Sequence, residues 1–145
     1  MASKLSRRAY LIEQNIFMLG AMSERMRYLR PSMRALLQTL ITLYPALGYL
    51  RQCNEDVERG DSFSSAWRKS IYDFDGIEAQ EREILLSIGD TLGSSNLENQ
   101  IAAIACTRSS LEERLTQARE DINRHGRLYR ALGALGGIAL AIILF

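Results

Sequence analysis

The sequence predicts an all-α protein: a cytosolic bundle of five or six antiparallel helices over residues 1–127, followed by a C-terminal transmembrane helix over residues 128–145. Three observations support this prediction. Apolar residues recur every three or four positions almost throughout, which is the spacing of one helix face. The 145 residues include only two prolines, and clusters of β-branched residues, which strands favour, are few. The last segment, Ala131 to Phe145, carries no charged, amide or hydroxyl side chain.

The first 60 residues predict three helices. The first runs from about Lys4 to Leu29. Pro31 fits the first position of a second helix, Ser32 to Leu43, where the N–H that proline lacks would be unpaired anyway. Pro45 restarts or kinks the helix, which then runs to about Arg59 before Gly60 ends it. The apolar positions that should face the core in the first helix are Leu11, Ile12, Ile16, Leu19, Met22, Met26 and Leu29.

A short aromatic helix follows, from Phe63 to Tyr72, with Asp61 or Ser62 as its N-cap. Phe63, Trp67 and Ile71 recur every four residues and share one side of it. Because so short a helix is unstable alone, it must dock through that side. We therefore predict that Trp67 is buried.

Two capping boxes are predicted ahead of the remaining helices. Asp75 with Glu78 should open a helix that ends near Thr91 and is closed by Gly93. Ser95-Asn-Leu-Glu98 should open the last helix. That helix carries a seam spaced by four and three residues, which favours packing within the bundle over an intermolecular coiled coil. The seam consists of Leu97, Ile101, Ile104, Arg108, Leu111, Leu115, Ala118 and Ile122.

The C-terminal tail predicts a membrane anchor with a defined orientation. Arg124, Arg127 and Arg130 precede the apolar run, and cytoplasmic flanks of membrane helices are rich in Lys and Arg. Gly133 and Gly137 form a G-x-x-x-G face that lets another membrane helix approach closely. The alternative is a buried C-terminal helix of a soluble domain. Glycines weaken such a helix, which favours the membrane interpretation.

Composition and motifs argue against several functions. Eighteen Lys and Arg against seventeen Asp and Glu indicate no general affinity for nucleic acid. Cys53 and Cys106 have no C-x-x-C spacing, and we expect both to be reduced and buried. His125 is the one histidine and has no acid or nucleophile spaced to work with it. We therefore predict no catalysis, no metal, no cofactor and no small-molecule substrate.

Two charged stretches of opposite sign remain. The basic stretch is a candidate partner contact, although a solvated face is the simpler explanation. It consists of Arg25, Arg27, Arg30 and Arg34. The acidic stretch should interact favourably with a helix N-terminus and lie on a solvated face, and it consists of Glu78, Glu81 and Glu83.

Several segments together resemble the stage III sporulation protein AB family of endospore-forming bacteria. The resemblance covers nearly the whole chain and is weakest between Leu40 and Gly60. It is most specific around Gly89 to Gly93 and Gly126 to Gly137. The matching segments are Glu83 to Ser95 with Asn99-Gln100, Gly126 to Phe145, Arg27-Tyr28 with Pro31 to Leu36, and Ser65-Ala66-Trp67 with Ile71.

The cytosolic part of that family is similar to the helical domains of the inner-membrane platform protein of type II secretion systems and type IV pili. The resemblance implies a non-enzymatic platform or scaffold subunit of the channel joining mother cell and forespore. It implies, as partners, a secretion-type cytoplasmic ATPase and the other membrane subunits of the channel. The expected location is the mother-cell membrane around the forespore, with the bundle on the cytoplasmic side.

One feature departs from the family pattern. Family members usually carry a first transmembrane helix ahead of the segment that matches Leu5 to Arg8, where this sequence has polar residues. If such an anchor precedes the domain, Lys4, Arg7 and Arg8 would be its cytosolic flank. A second functional class stays open, a tail-anchored regulatory adaptor that binds one soluble partner. A membrane-bound hydrolase is disfavoured because catalytic groups are lacking.

Overall fold

The computed structural model describes the backbone of residues 2–29, 31–94 and 96–144, and the side chains of residues 6–29, 31–92 and 96–124. Over these residues the chain forms helices and no strand, which confirms the all-α prediction. The helices are α1 (Ala2–Tyr28), α2 (Met33–Leu43), α3 (Tyr49–Glu58), α4 (Phe63–Asp73), α5 (Ala79–Ser87), α6 (Gly89–Ser94) and α7 (Leu97–Leu144).

Serine caps explain where α2 and α4 begin. The backbone N–H of Ala35 donates to Ser32 Oγ at 3.2 Å, and that of Ser65 donates to Ser62 Oγ at 3.2 Å. Each serine thereby satisfies one N–H that the helix leaves unpaired. Ser62 confirms one of the two predicted caps of α4. Pro31 precedes the cap of α2 rather than occupying its first helical position, so that prediction was wrong by two positions.

The segment after α2 differs from the prediction. Pro45 lies in a turn, and α3 begins only at Tyr49, so the helix is interrupted over residues 44–48 rather than kinked. Gly60 follows α3 with a φ of +104°, a left-handed conformation that glycine adopts at least cost. The predicted end of this helix is therefore confirmed.

The predicted helix between Asp75 and Thr91 is divided at Ile88 into α5 and α6. Glu78 is the N-cap residue of α5 but makes no side-chain cap bond, so the predicted capping box was wrong. The division coincides with a close approach, because a Cβ on Gly89 would lie 2.9 Å from Cδ1 of Trp67. Glycine at this position lets α6 pack directly on the indole.

α1 and α7 run antiparallel and form the most extensive helix pair of the fold. Two ion pairs fix their register: Arg119 to Glu13 at 3.1 Å and Arg8 to Asp121 at 3.9 Å. The predicted seam of α7 therefore packs within the bundle, as expected. The N-cap of α7 is Asn96 rather than Ser95, because the Asn99 N–H donates to Asn96 Oδ1 at 2.9 Å.

Trp67 lies at the centre of the core and is fully buried, as predicted. Its indole Nε1 donates to the carbonyl of Leu85 at 2.8 Å. The ring of Tyr49 meets the indole edge-on at 5.6 Å between centroids, and Phe63 lies 5.7 Å away. α4 thus joins α3 to α5 through one aromatic cluster.

The predicted transmembrane segment, residues 128–145, falls outside the described side chains, as do Arg127, Arg130, Gly133 and Gly137. Where side chains are described, the structure contains no helix with the length and apolarity needed to cross a membrane. The backbone of α7 is helical as far as Leu144.

Candidate interaction surfaces

Glu81 is buried, which overturns the prediction that it lies on a solvated face. Only 2% of its surface is exposed, and its Oε1 accepts from Arg8 at 2.8 Å and from Arg114 at 3.3 Å. The carboxylate therefore links α5 to both α1 and α7. Such burial is tolerated because two cations compensate the charge. Glu78 and Glu83 are exposed, as predicted.

The structure distributes the predicted basic stretch over different faces. Arg25 and Arg27 are two residues apart on α1 and therefore point about 200° apart. Arg25 is half-buried and Arg27 is exposed. Arg34 lies on α2 and forms an exposed ion pair with Glu58 at 3.3 Å. Arg30 lies outside the described residues. Partner binding through these arginines stays a prediction.

An aromatic stripe on α1 was not found by sequence reasoning. It consists of Tyr10, Phe17 and Tyr28, which are 52%, 49% and 73% exposed. Spacings of seven and eleven residues return to nearly the same side of a helix, here the side opposite the core. Exposed aromatic side chains are enriched in protein interfaces. We call these three residues the α1 stripe.

A groove of about 290 Å³ adjoins the C-terminal end of the α1 stripe. It is lined by the small side chain of Ala21 and by Glu24 and Arg25, which carry opposite charges. Its remaining walls are Tyr28 and Leu29, which are both mostly exposed. The groove therefore combines apolar surface, which is typical of the core of an interface, with charges of both signs, which are typical of its rim.

A second, more polar groove of about 520 Å³ lies along α4 and reaches α6. Within it, Asp90 accepts from Ser64 Oγ at 2.5 Å and from Arg68 at 2.8 Å. The charges of Asp90 and Arg68 thus compensate each other inside the groove. The predicted interface arginine Arg124, on α7, is exposed and lies far along the chain from this region.

Two groups of the core, the thiol of Cys53 and the hydroxyl of Tyr49, are buried and protonated at neutral pH. Burial raises the pKa of the Cys53 thiol to about 12, and burial raises the pKa of Tyr49 well above its ordinary value. The hydroxyl of Tyr49 donates to Asn15 Oδ1. Cys53 is buried as predicted, whereas Cys106 is exposed, because it faces away from the seam of α7.

The described residues include no cluster of His, Cys, Asp and Glu that could hold a metal ion.

The arrangement defines an all-helical module whose first and last helices pair and whose described surface offers an aromatic stripe beside a charged groove. The chain belongs to the stage III sporulation protein AB family, whose sequence profile matches residues 1–145. This confirms the resemblance seen in the sequence and gives the chain a role in sporulation.

A solved structure of stage III sporulation protein AB has the same fold. The match has a TM-score of 0.72 at 20% sequence identity and covers 81% of this chain and 97% of that chain. At this identity, the likeness supports the fold alone. No curated protein sequence matches this chain.

Proposed function

We propose that this protein is a non-enzymatic scaffold subunit of the secretion-like channel that joins mother cell and forespore during endospore formation. In this role it couples a cytoplasmic ATPase to the membrane complex. The observation that carries the proposal is the family match over residues 1–145, which supports a sporulation role for the whole chain.

The apolar run from Ala131 to Phe145 supports a membrane anchor at one end of the bundle. Because α1 and α7 are antiparallel, contact between Arg8 and Asp121 places the start of α1 beside the part of α7 that leads into this run. Arg124, with Arg127 and Arg130 in the sequence, then favours the cytoplasmic side for the bundle. Gly133 and Gly137 provide a close-packing face toward another membrane helix.

The chemistry of the described residues supports a scaffold rather than an enzyme. Cys53, a potential nucleophile, is a buried thiol with a pKa near 12 and is therefore unreactive at neutral pH. Glu81, a potential acid or base, is held by two arginines inside the bundle. The exposed α1 stripe offers contact surface instead.

Affinity isolation of the tagged chain from detergent-solubilised membranes of sporulating cells tests the proposal. Recovery of the ATPase together with other channel subunits is the expected result. Recovery of soluble regulators alone would favour the tail-anchored adaptor and would contradict the scaffold role.

The ATPase contact is proposed to involve the exposed arginines Arg27 and Arg34. Exposed ion pairs contribute at most about 1 kcal/mol to folding, whereas charge complementarity steers association. Arg27→Glu with Arg34→Glu should therefore weaken ATPase binding without changing the melting temperature. Arg51→Glu with Lys69→Glu, an equal charge change on α3 and α4, is the matched control. Equal affinities for both double variants would remove these arginines from the contact.

A further inference from the structure

We propose that a small cavity between α1 and the start of α5 binds one water molecule, which completes the hydrogen bonding of Glu81. Arg8 and Asn15 line the cavity from α1, and Glu81 lines it from α5. Its volume is about 10 Å³, and one bound water needs about 10–15 Å³. The cavity therefore has room for one water and for no larger ligand. The proposal goes beyond the scaffold role and depends neither on the ATPase nor on the anchor.

The two carboxylate oxygens of Glu81 are used unequally. Oε1 accepts from Arg8 at 2.8 Å and from Arg114 at 3.3 Å. Oε2 is buried and has no hydrogen-bond partner among the residues that the structure describes. The side chain is only 3% exposed, so bulk solvent does not replace the missing partner. A buried polar atom without a hydrogen bond is unfavourable, so Oε2 requires a donor in the cavity.

Two hydrogen-bond donors lie around the same cavity. Nε of Arg8 is buried, and within the described part of the chain nothing accepts its proton. Asn15 is also buried, and its Nδ2 donates to the carbonyl of Leu11 at 2.9 Å while its Oδ1 accepts from the hydroxyl of Tyr49. An amide nitrogen carries two N–H groups, so Asn15 has a second one to donate.

The combination of two donors and one acceptor selects water as the occupant. A water molecule can accept from Arg8 Nε and Asn15 Nδ2 and donate to Glu81 Oε2, which gives the three hydrogen bonds that a buried water typically makes. A metal cation would face two N–H groups, and an anion would face the carboxylate. Neither ion complements the walls of this cavity.

The water would connect two polar groups that are otherwise separate inside the bundle. Tyr49 on α3 bonds to Asn15 on α1, and Glu81 on α5 bonds to Arg114 on α7. A water between Asn15 and Glu81 joins these bonds into one network across four helices. In a fully satisfied network of this kind the hydrogen bonds strengthen one another, which favours a single arrangement of the helices.

Nuclear magnetic resonance of the full chain in detergent micelles tests the proposal. In ¹⁵N-edited NOE and ROE spectra, the Nε–H of Arg8 and the Nδ2–H of Asn15 should each show a cross-peak to water, with opposite signs in the two spectra. Opposite signs identify direct contact with a long-lived water, whereas proton exchange with solvent gives the same sign in both. Trp67 Nε1–H is the matched control, because it is buried and already bonded to the Leu85 carbonyl. Its cross-peak should be weaker by about fivefold or more.

Two variants secure the interpretation. Arg8→Lys keeps the positive charge but removes Nε, so the signal assigned to Arg8 should disappear. Tyr49→Phe removes the hydroxyl proton that could relay a signal from solvent to Asn15, and the cross-peak of Asn15 to water should persist.

Three outcomes would overturn the proposal. Cross-peaks at neither group would indicate that Arg8 Nε bonds directly to Glu81 Oε2. A cross-peak at only one of the two groups would show that no water bridges them. Cross-peaks of the same sign in both spectra, or an Arg8 Nε–H signal lost to rapid exchange, would show that bulk solvent enters the cavity in place of one bound water.

Discussion

Replacing Trp67 should destabilise the bundle more than any exposed aromatic substitution. The indole is fully buried, donates to the Leu85 carbonyl and packs against Tyr49 and Phe63. α4 has only 11 residues and depends on this docking for its helical structure. Removing the side chain therefore affects the packing of α4 on α3, α5 and α6 together.

The size of the effect follows from the burial and the hydrogen bond of the indole. Truncating a buried Trp to Ala typically costs about 3–5 kcal/mol, because apolar burial is removed and a cavity remains. Trp67→Phe keeps most of the ring but leaves the Leu85 carbonyl without its donor, which costs about 1–3 kcal/mol. Domains are stable by only about 5–15 kcal/mol, so Trp67→Ala should remove a large share of the chain's free energy of unfolding.

Urea unfolding of the full chain in mild detergent, followed by far-ultraviolet circular dichroism, measures these changes in stability without using the indole signal. Tyr72→Ala, on the exposed side of the same helix, should unfold near the wild-type midpoint. A destabilisation below about 1 kcal/mol for Trp67→Ala would refute the reasoning, because a well-packed buried indole should cost more.

Three further predictions concern the tail, the buried ion pairs and the thiols. A version ending at Ala131 should lose membrane residence yet melt cooperatively, as judged by fractionation and circular dichroism; an aggregating product would place the tail in the core. Glu81→Gln should lower the free energy of unfolding by about 1–3 kcal/mol, because Arg8 and Arg114 lose their buried counterion, whereas Glu83→Gln should be neutral. Because burial raises the pKa of Cys53 from 9.0 to about 12, stability should fall as pH rises from 9 toward 12, and less so in Cys53→Ala. At pH 8, a thiol reagent should modify Cys106 in the folded chain and reach Cys53 only after denaturation.

Local signals predicted the elements that local chemistry determines. Ser62 and Gly60 mark helix boundaries through bonds or backbone conformations within a few residues, and the four-residue spacing around Trp67 predicted its burial. The seam of α7 was recognised because its apolar pattern spans many turns. Such features can be predicted without knowing which helix packs against them.

Features that depend on distant residues were predicted poorly. Glu81 is buried because Arg8 and Arg114, which are 73 and 33 residues away, reach it. The division at Ile88 reflects the approach of Gly89 to Trp67 from another helix. The α1 stripe had a sequence signal, three aromatic residues on the polar side of an amphipathic helix, but the stronger apolar pattern of the core-facing side concealed it.

The pairing of α1 with α7 determines when the protein can fold during synthesis. Arg119 and Glu13, which join these helices, are 106 residues apart, so α1 cannot find its partner until most of the chain has been made. At about 5–20 residues per second, the apolar side of α1 waits roughly 5–20 s. During that interval α2 to α6 can assemble among themselves, while α1 is exposed to aggregation or to chaperones. A slower or paused ribosome would lengthen this exposure without any change in the stability of the finished protein.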